Sequence, residues 1–280
     1  MQRWKLILAY DGTPFHGWQV QPHLRTVQGT LASALQQITG EQVLPQGSGR
    51  TDTGVHALGQ VASFALECPI PPASLKRALN RVLPAAIRVV VAEHAADPFH
   101  ARHSARTKTY EYRIFESARG HDAEERVCPP PLANFVWACP FALELELAQR
   151  AADAVLGEHD FSSFAASDPD LRERTVADQR SCVRTLLRSR WTRDQGLLVY
   201  RVTGTGFLHH MVRNLVGTFV EVARGRIKAE SMARLLAARD RALAGPTAPA
   251  SGLFLVDVDY GAEFALPEVT RSAQAAGVPA

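Results

Sequence analysis

The sequence predicts an α+β protein made of two related α/β halves, on three observations. Short alternating strand patterns are interleaved with amphipathic helical ones; two strand patterns, Cys182 to Trp191 and Leu197 to Gly204, lie close enough to pair as a hairpin; and the element order of the first half returns loosely in the second. Such alternation with hairpin-like pairs favours a mixed sheet over a doubly wound parallel one. A cleft is expected between the halves. The expected boundary lies around Ala96 to Ser104, giving halves of 1–103 and 104–262, with residues 263–280 as a weakly ordered tail.

Lys5 to Tyr10 reads as a strand, and Asp11-Gly12-Thr13-Pro14 behind it as a turn. Thr26 is a candidate cap for a helix whose Val27, Leu31, Leu35 and Ile38 share a face, and Gly40 stops it. A strand is expected around Gln60 to Leu66. Ser74 is the expected cap of a second helix, with Leu75, Ala78, Leu79 and Val82 inward and Lys76, Arg77 and Arg81 outward, ended by Pro84. Arg88 to Glu93 is the third strand. In the second half Thr109 to Phe115 alternates as a strand, and Phe141 to Leu156 reads as a helix ended by Gly157. After the hairpin come a long helix over Leu208 to Ala223, a short one over Glu230 to Ala238, and a last strand over Leu253 to Tyr260.

A hydrophobic fraction of 46% in a chain of this length supports a substantial core. No apolar run approaches the roughly 18 residues of a membrane span, and Met1-Gln2-Arg3-Trp4-Lys5-Leu6 enters a strand pattern directly, without a signal-peptide core; a soluble cytoplasmic protein is expected. The four cysteines lack a Cys-x-x-Cys pair and read as reduced thiols. Of the ten histidines, His209-His210 is the densest pair, but helical neighbours point about 100° apart and no partner has ligand spacing, so no metal is expected. The net charge is only +3, yet Arg172 to Lys228 holds twelve Arg or Lys against four Asp or Glu, which is +8 locally. That segregation suggests a surface for a polyanion, with a solvated face as the competing explanation.

The chemistry concentrates in Gly49-Arg50-Thr51-Asp52-Thr53-Gly54-Val55-His56-Ala57. A lone carboxylate stands between an arginine, two threonines and two glycines. The glycines let the backbone bend and a substrate come close, and Arg50 with the hydroxyls and amides can aim the carboxylate by charge-assisted hydrogen bonds. On residue types alone an ordinary polar turn remains open. The string itself resembles the signature of the tRNA pseudouridine synthases of the TruA type, in which an Arg-Thr-Asp-(Ala or Thr)-Gly-Val-His-Ala loop carries the essential aspartate; Asp52 is the matching position. Tyr10-Asp11-Gly12, Phe15-His16-Gly17-Trp18-Gln19, Thr26-Val27-Gln28-Gly29, Phe99-His100-Ala101-Arg102, Lys108-Thr109-Tyr110-Glu111-Tyr112, His159 to Phe164 and His209 to Asn214 resemble that family's other blocks, in its order.

The resemblance implies two related halves whose strands join into one extended, mixed, largely antiparallel sheet, with helices packed on it and the active site in the intervening cleft. It implies isomerisation of uridine to pseudouridine in the anticodon stem-loop of tRNA, at positions 38 to 40, by a homodimer. The reaction is redox-neutral, so no cofactor is expected, in keeping with the lack of a Walker loop or a dinucleotide fingerprint. Asp52 would act as nucleophile or base. A single carboxylate, rather than a glycosidase pair, argues against simple hydrolysis. Arg213 matches the arginine that pairs with the aspartate, and Tyr110 the tyrosine that stacks on the target base and is a candidate for moving the C5 proton. Periodicity alone leaves Arg213 as a surface residue of an amphipathic helix and Tyr110 as core. Tyr112 reads as structural. Candidate RNA contacts are Arg50, His56 and Arg102, with Lys76, Arg77 and Arg81 on the second helix. Two other readings stay open: a non-catalytic tRNA-binding protein of the same fold, and a uridine hydrolase using Asp52.

Overall fold

A computed structural model describes residues 1–117, 126–166 and 182–264. Residues 120–125 of an insert that matches no family block, the first part of the basic segment, and almost all of the expected tail lie outside the described residues. In chain order the elements are β1 (Gln2–Tyr10), α1 (Val27–Thr39), β2 (Gln46–Gly47), β3 (His56–Leu66), α2 (Pro72–Val82), β4 (Ile87–His94), β5 (Thr107–Glu116), α3 (Pro130–Ala133), β6 (Trp137–Cys139), α4 (Leu145–Asp153), β7 (Gly157–Asp160), β8 (Val183–Asp194), β9 (Leu197–Gly204), α5 (Met211–Ala223), α6 (Met232–Ala238) and β10 (Leu253–Asp259). The chain divides into two compact units, Met1–Lys108 with the segment from Phe254 onward, and Thr109–Leu253. Both are α+β, and their sheets are largely antiparallel.

In the first unit the strand order is β4-β1-β3-β10, with β2 also on β3. β1 pairs antiparallel with β3 and with β4, whereas β10 runs parallel to β3, with Phe254 opposite His56 and Leu255 opposite Ala57. The last strand therefore counts with the first unit, whose first stretch runs to Lys108. β3 is buried at nearly every position, so both of its faces are covered. Part of that cover is the loop after β4: Ala101 N donates to Ser63 Oγ (3.0 Å), Tyr260 Oη to Ala101 O (2.7 Å), and Phe99 packs on Tyr260 and Phe264. Lys5 points into this layer at 3% exposure. Its ammonium is compensated there, donating to Phe264 O (2.8 Å), pairing with Glu93 (3.1 Å) and lying over the rings of Phe99 and Tyr260.

α1 follows its sequence signals at both ends: Thr26 Oγ1 accepts from Gly29 N, and Gly40, left-handed at φ 76°, donates to Gln36 O. α2 departs from them. It opens at Pro72 behind Pro71, because proline's fixed φ suits a first helical turn, and Ser74 is an interior residue whose hydroxyl accepts from Arg77 (3.2 Å).

The second unit orders its strands β5-β9-β8-β7, with β6 parallel to β5. Trp191 and Tyr200, register partners on β8 and β9, pack against Phe219 of α5. α4 is shorter than the expected 141–156 helix. Leu143 N donates instead to the buried Glu116 carboxylate (3.2 Å) and Glu144 N to Ala223 O (3.1 Å), and these tertiary bonds replace a first helical turn. α5 starts at Met211 because His210 is left-handed at φ 58°. Among the described residues no helix is long and apolar enough to cross a membrane.

Candidate active site

The loop bearing Asp52 joins β2 to β3, and its shape comes from backbone contacts. Trp18 N donates to Thr51 O (3.0 Å), Gly54 N to Phe15 O (3.4 Å) and Val55 N to Asp52 O (3.1 Å). The segment that follows β1 lies directly on this loop: a Cβ on Gly12 would sit 2.1 Å from Val55 O, and one on Gly17 2.6 Å from Thr51 O. Only glycine permits that approach. The Thr51 hydroxyl shares a 2.8 Å hydrogen bond with Tyr10 Oη, whose pKa burial pushes up to about 12, so it is held as a neutral phenol. Asp52 itself is half-buried and Thr53 exposed, which leaves the carboxylate within reach of solvent on a braced backbone.

Gln60 fixes the incoming side of the loop. Fully buried on β3, it accepts from Ser48 Oγ (2.7 Å) and Val61 N (3.2 Å), and its amide nitrogen donates to Gly49 O (2.9 Å). Lys108 donates to Ser48 O (2.6 Å), and burial together with the nearby Arg102 guanidinium brings its pKa down to about 8. Nothing in the hydropathy pattern marked Gln60 or Lys108 as part of this scaffold; a glutamine inside a strand buried on both sides is the available signal for the first, and the second is marked only as a letter in a family-like block.

The expected RNA contacts in this unit separate. Arg50 and Arg102 are exposed and line a cavity of about 220 Å³ that is also lined by Trp18, Gln28, Leu44 and Gly47. Arg102 is presented by neighbours that anchor the backbone, Phe99 and Ala101, both fully buried. Lys76, Arg77 and Arg81 are exposed on α2. His56 is placed differently from these arginines and lysines, at 1% exposure. Its ring stacks on Phe254 (4.7 Å), and Nδ1 accepts from Gly12 N (3.0 Å), so the 3.3 Å approach of the Asp11 carboxylate to that atom is not an ion pair. His56 is a strut that ties the loop to β10 and to the turn after β1.

Tyr110 and Arg213 belong to the second unit. Tyr110, 8% exposed on β5, meets Phe207 edge-on at 4.9 Å. Tyr112 is structural, as expected: fully buried, it donates to Pro249 O (2.8 Å), and burial pushes its pKa far up. Arg213 lies in the first turn of α5, where its Nε donates to Ala248 O (2.8 Å) and its own carbonyl accepts from Ala248 N (3.1 Å). The 244–250 segment is in turn fastened to the helix. Asn214 Oδ1 accepts from Arg241 (3.1 Å) and Thr247 (2.7 Å), Asn214 Nδ2 donates to Phe164 O (2.8 Å), and Thr218 Oγ1 accepts from Gly245 N (2.9 Å). This network orients Arg213, and only Asn214 and Phe164 of those supporting residues, each inside a family-like block, had any mark in the sequence.

Comparison with known proteins supplies what geometry alone does not. Residues 6–104 and 151–261 match the family described as tRNA pseudouridine synthase. The chain is 48% identical over 260 residues to the tRNA pseudouridine synthase A of Solibacter usitatus (strain Ellin6076), covering 93% of this chain and 100% of that one. It is 42% identical over 265 residues to the protein of that name from Maridesulfovibrio salexigens, covering 93% and 91%. A chain of a solved Cbf5-Nop10-Gar1 complex aligns at TM-score 0.30 and 12% identity over 77% of this chain and 54% of its own, too distant to bear on the site. With the family's match running through the Asp52 loop and the helix of Arg213, the chain belongs to the tRNA pseudouridine synthase family.

Proposed function

We propose that this protein isomerises uridine to pseudouridine in the anticodon stem-loop of tRNA, at positions 38 to 40, with the Asp52 carboxylate as nucleophile or base. The reaction breaks the N1–C1′ bond, turns the uracil and joins C5 to C1′, and the C5 proton is released in the last step. The observation that carries the reading is how Asp52 is held. Its loop is bonded at Thr51, Asp52 and Gly54 and pressed against Gly12 and Gly17, so the carboxylate starts from a fixed direction and loses little freedom when the sugar arrives. Tyr110 and Arg213 keep the roles that the family resemblance gives them, the ring against the target base and the guanidinium as partner of the carboxylate. The protein works in the cytoplasm as a homodimer on tRNA.

The test is tritium release from tRNA carrying [5-³H]uridine, with stem-loop binding and free uracil followed in parallel. Wild type releases tritium; Asp52→Ala and Asp52→Asn lower the rate by roughly 10³-fold or more while stem-loop binding persists. Binding without release by wild type would make the protein a non-catalytic tRNA binder. Free uracil in place of the isomer would make it a hydrolase.

A further inference from the structure

The cavity of about 220 Å³ in the first unit is built for more than the target base. Its lining holds two guanidiniums, Arg50 and Arg102, and no carboxylate. The Lys108 ammonium lies 3.0 Å from where a Cβ of Gly49 would be, so a third cation backs the same wall. Beside these charges two large apolar side chains stand open to water, Val20 at 45% and Leu44 at 53% exposure. The spacing of the two segments is fixed beforehand. Gln28 accepts from Val20 N (2.9 Å) and donates to Pro45 O (2.9 Å), and the Trp18 indole lies so close to Gly47 that a Cβ there would be 2.6 Å from it. Apolar walls next to guanidiniums suit a flat, uncharged ring attached to an anion, which is the chemistry of a nucleotide. The volume is below the roughly 300–1,000 Å³ of drug-sized sites, which limits the occupant to one base rather than a base pair. Arg50 lines the cavity and is also two residues from Asp52, so an RNA strand delivering a uridine to Asp52 passes the cavity with a neighbouring nucleotide.

We propose that this cavity is a subsite for one unpaired nucleotide next to the target uridine, its base between Val20 and Leu44, its phosphate on Arg50 and Arg102, and its edge within reach of the exposed Gln19 amide. The proposal rests on the pseudouridine synthase reading and adds a second recognised nucleotide to it.

The test uses the full chain and fluorescein-labelled anticodon stem-loops in which a single abasic nucleotide replaces each position flanking the target in turn. Binding is read by anisotropy and tritium release is measured alongside. With wild type, one abasic position weakens binding about tenfold. The double variant Val20→Ala/Leu44→Ala binds intact RNA about tenfold more weakly and loses nothing further at that position; Val20→Phe, which narrows the cavity from an exposed site, behaves alike. Equal abasic penalties in wild type and both variants would overturn the subsite, and with tritium release intact the synthase reading would survive. Coupling seen without tritium release would leave the subsite standing and remove the synthase reading.

Discussion

Gly17→Ala separates the cost of backbone strain from the cost of moving the Asp52 loop. Gly17 is left-handed at φ 82°, a conformation that costs an L-residue about 1–2 kcal/mol. The new methyl would also sit 2.6 Å from Thr51 O, where ordinary contact begins at 3.4 Å, so the loop must retreat by about 0.8 Å. Gly40 supplies the control: it is left-handed at φ 76°, and a Cβ there meets nothing within 4 Å. Gly40→Ala therefore carries the strain alone. In urea denaturation we expect a loss of about 1–2 kcal/mol for Gly40→Ala and about 2–4 kcal/mol for Gly17→Ala, where the overpacking adds to the strain. The kinetic split is sharper. A misplacement approaching 1 Å costs up to about 10²-fold, so kcat for tritium release should fall roughly 10- to 100-fold in Gly17→Ala and stay unchanged in Gly40→Ala. Full kcat in a Gly17→Ala protein that shows the expected stability loss would refute the bracing argument.

Two further outcomes follow from the scaffold around the loop. Lys108 has a folded pKa of about 8 against its usual 10.5, so below pH 8 the buried ammonium opposes folding, and between pH 8 and 10.5 the folded chain sheds a proton that the unfolded chain keeps. Stability from this group therefore rises with pH across that window, by on the order of 3 kcal/mol, and Lys108→Met should abolish the rise; denaturation curves of both proteins from pH 7 to 10.5 check it, and parallel curves would contradict it. Gln60→Leu leaves the buried Ser48 Oγ and the part-buried Gly49 O without their partner and should cost roughly 2–4 kcal/mol in the same assay, with a loss under about 0.5 kcal/mol counting against the network.

What the sequence could show depended on whether the determinant was local. α1 was legible at both ends because its cap and its stop act within a turn of themselves, through Thr26 to Gly29 and Gly40 to Gln36. The β8–β9 hairpin was legible for the same reason. The start of α4 was not, since its missing first turn is replaced by bonds to Glu116 and Ala223, far away in the chain. His56 sat inside the most specific string of the sequence, and its burial was still not legible there. A histidine in a motif looks alike whether it meets RNA or a phenylalanine two hundred residues on, and only the stacking on Phe254 distinguishes the two. Asp52, Tyr110 and Arg213 were readable as letters in blocks; the carbonyls, glycines and amides that hold them were not.

The return of β10 to the first unit has a consequence for how the protein is made. A nascent chain that has emerged only as far as β9 has β3 with His56 unstacked, Lys5 without the Phe264 carbonyl and Tyr260 ring, and Ala101 O without its phenol. The unit synthesised first is thus completed last, by contacts of high sequence separation whose loop-closure entropy slows folding. The loop bearing Asp52 takes its final support only after the second unit has left the ribosome, so chains cut short before Phe254 carry the Asp52 string without the strand that steadies it.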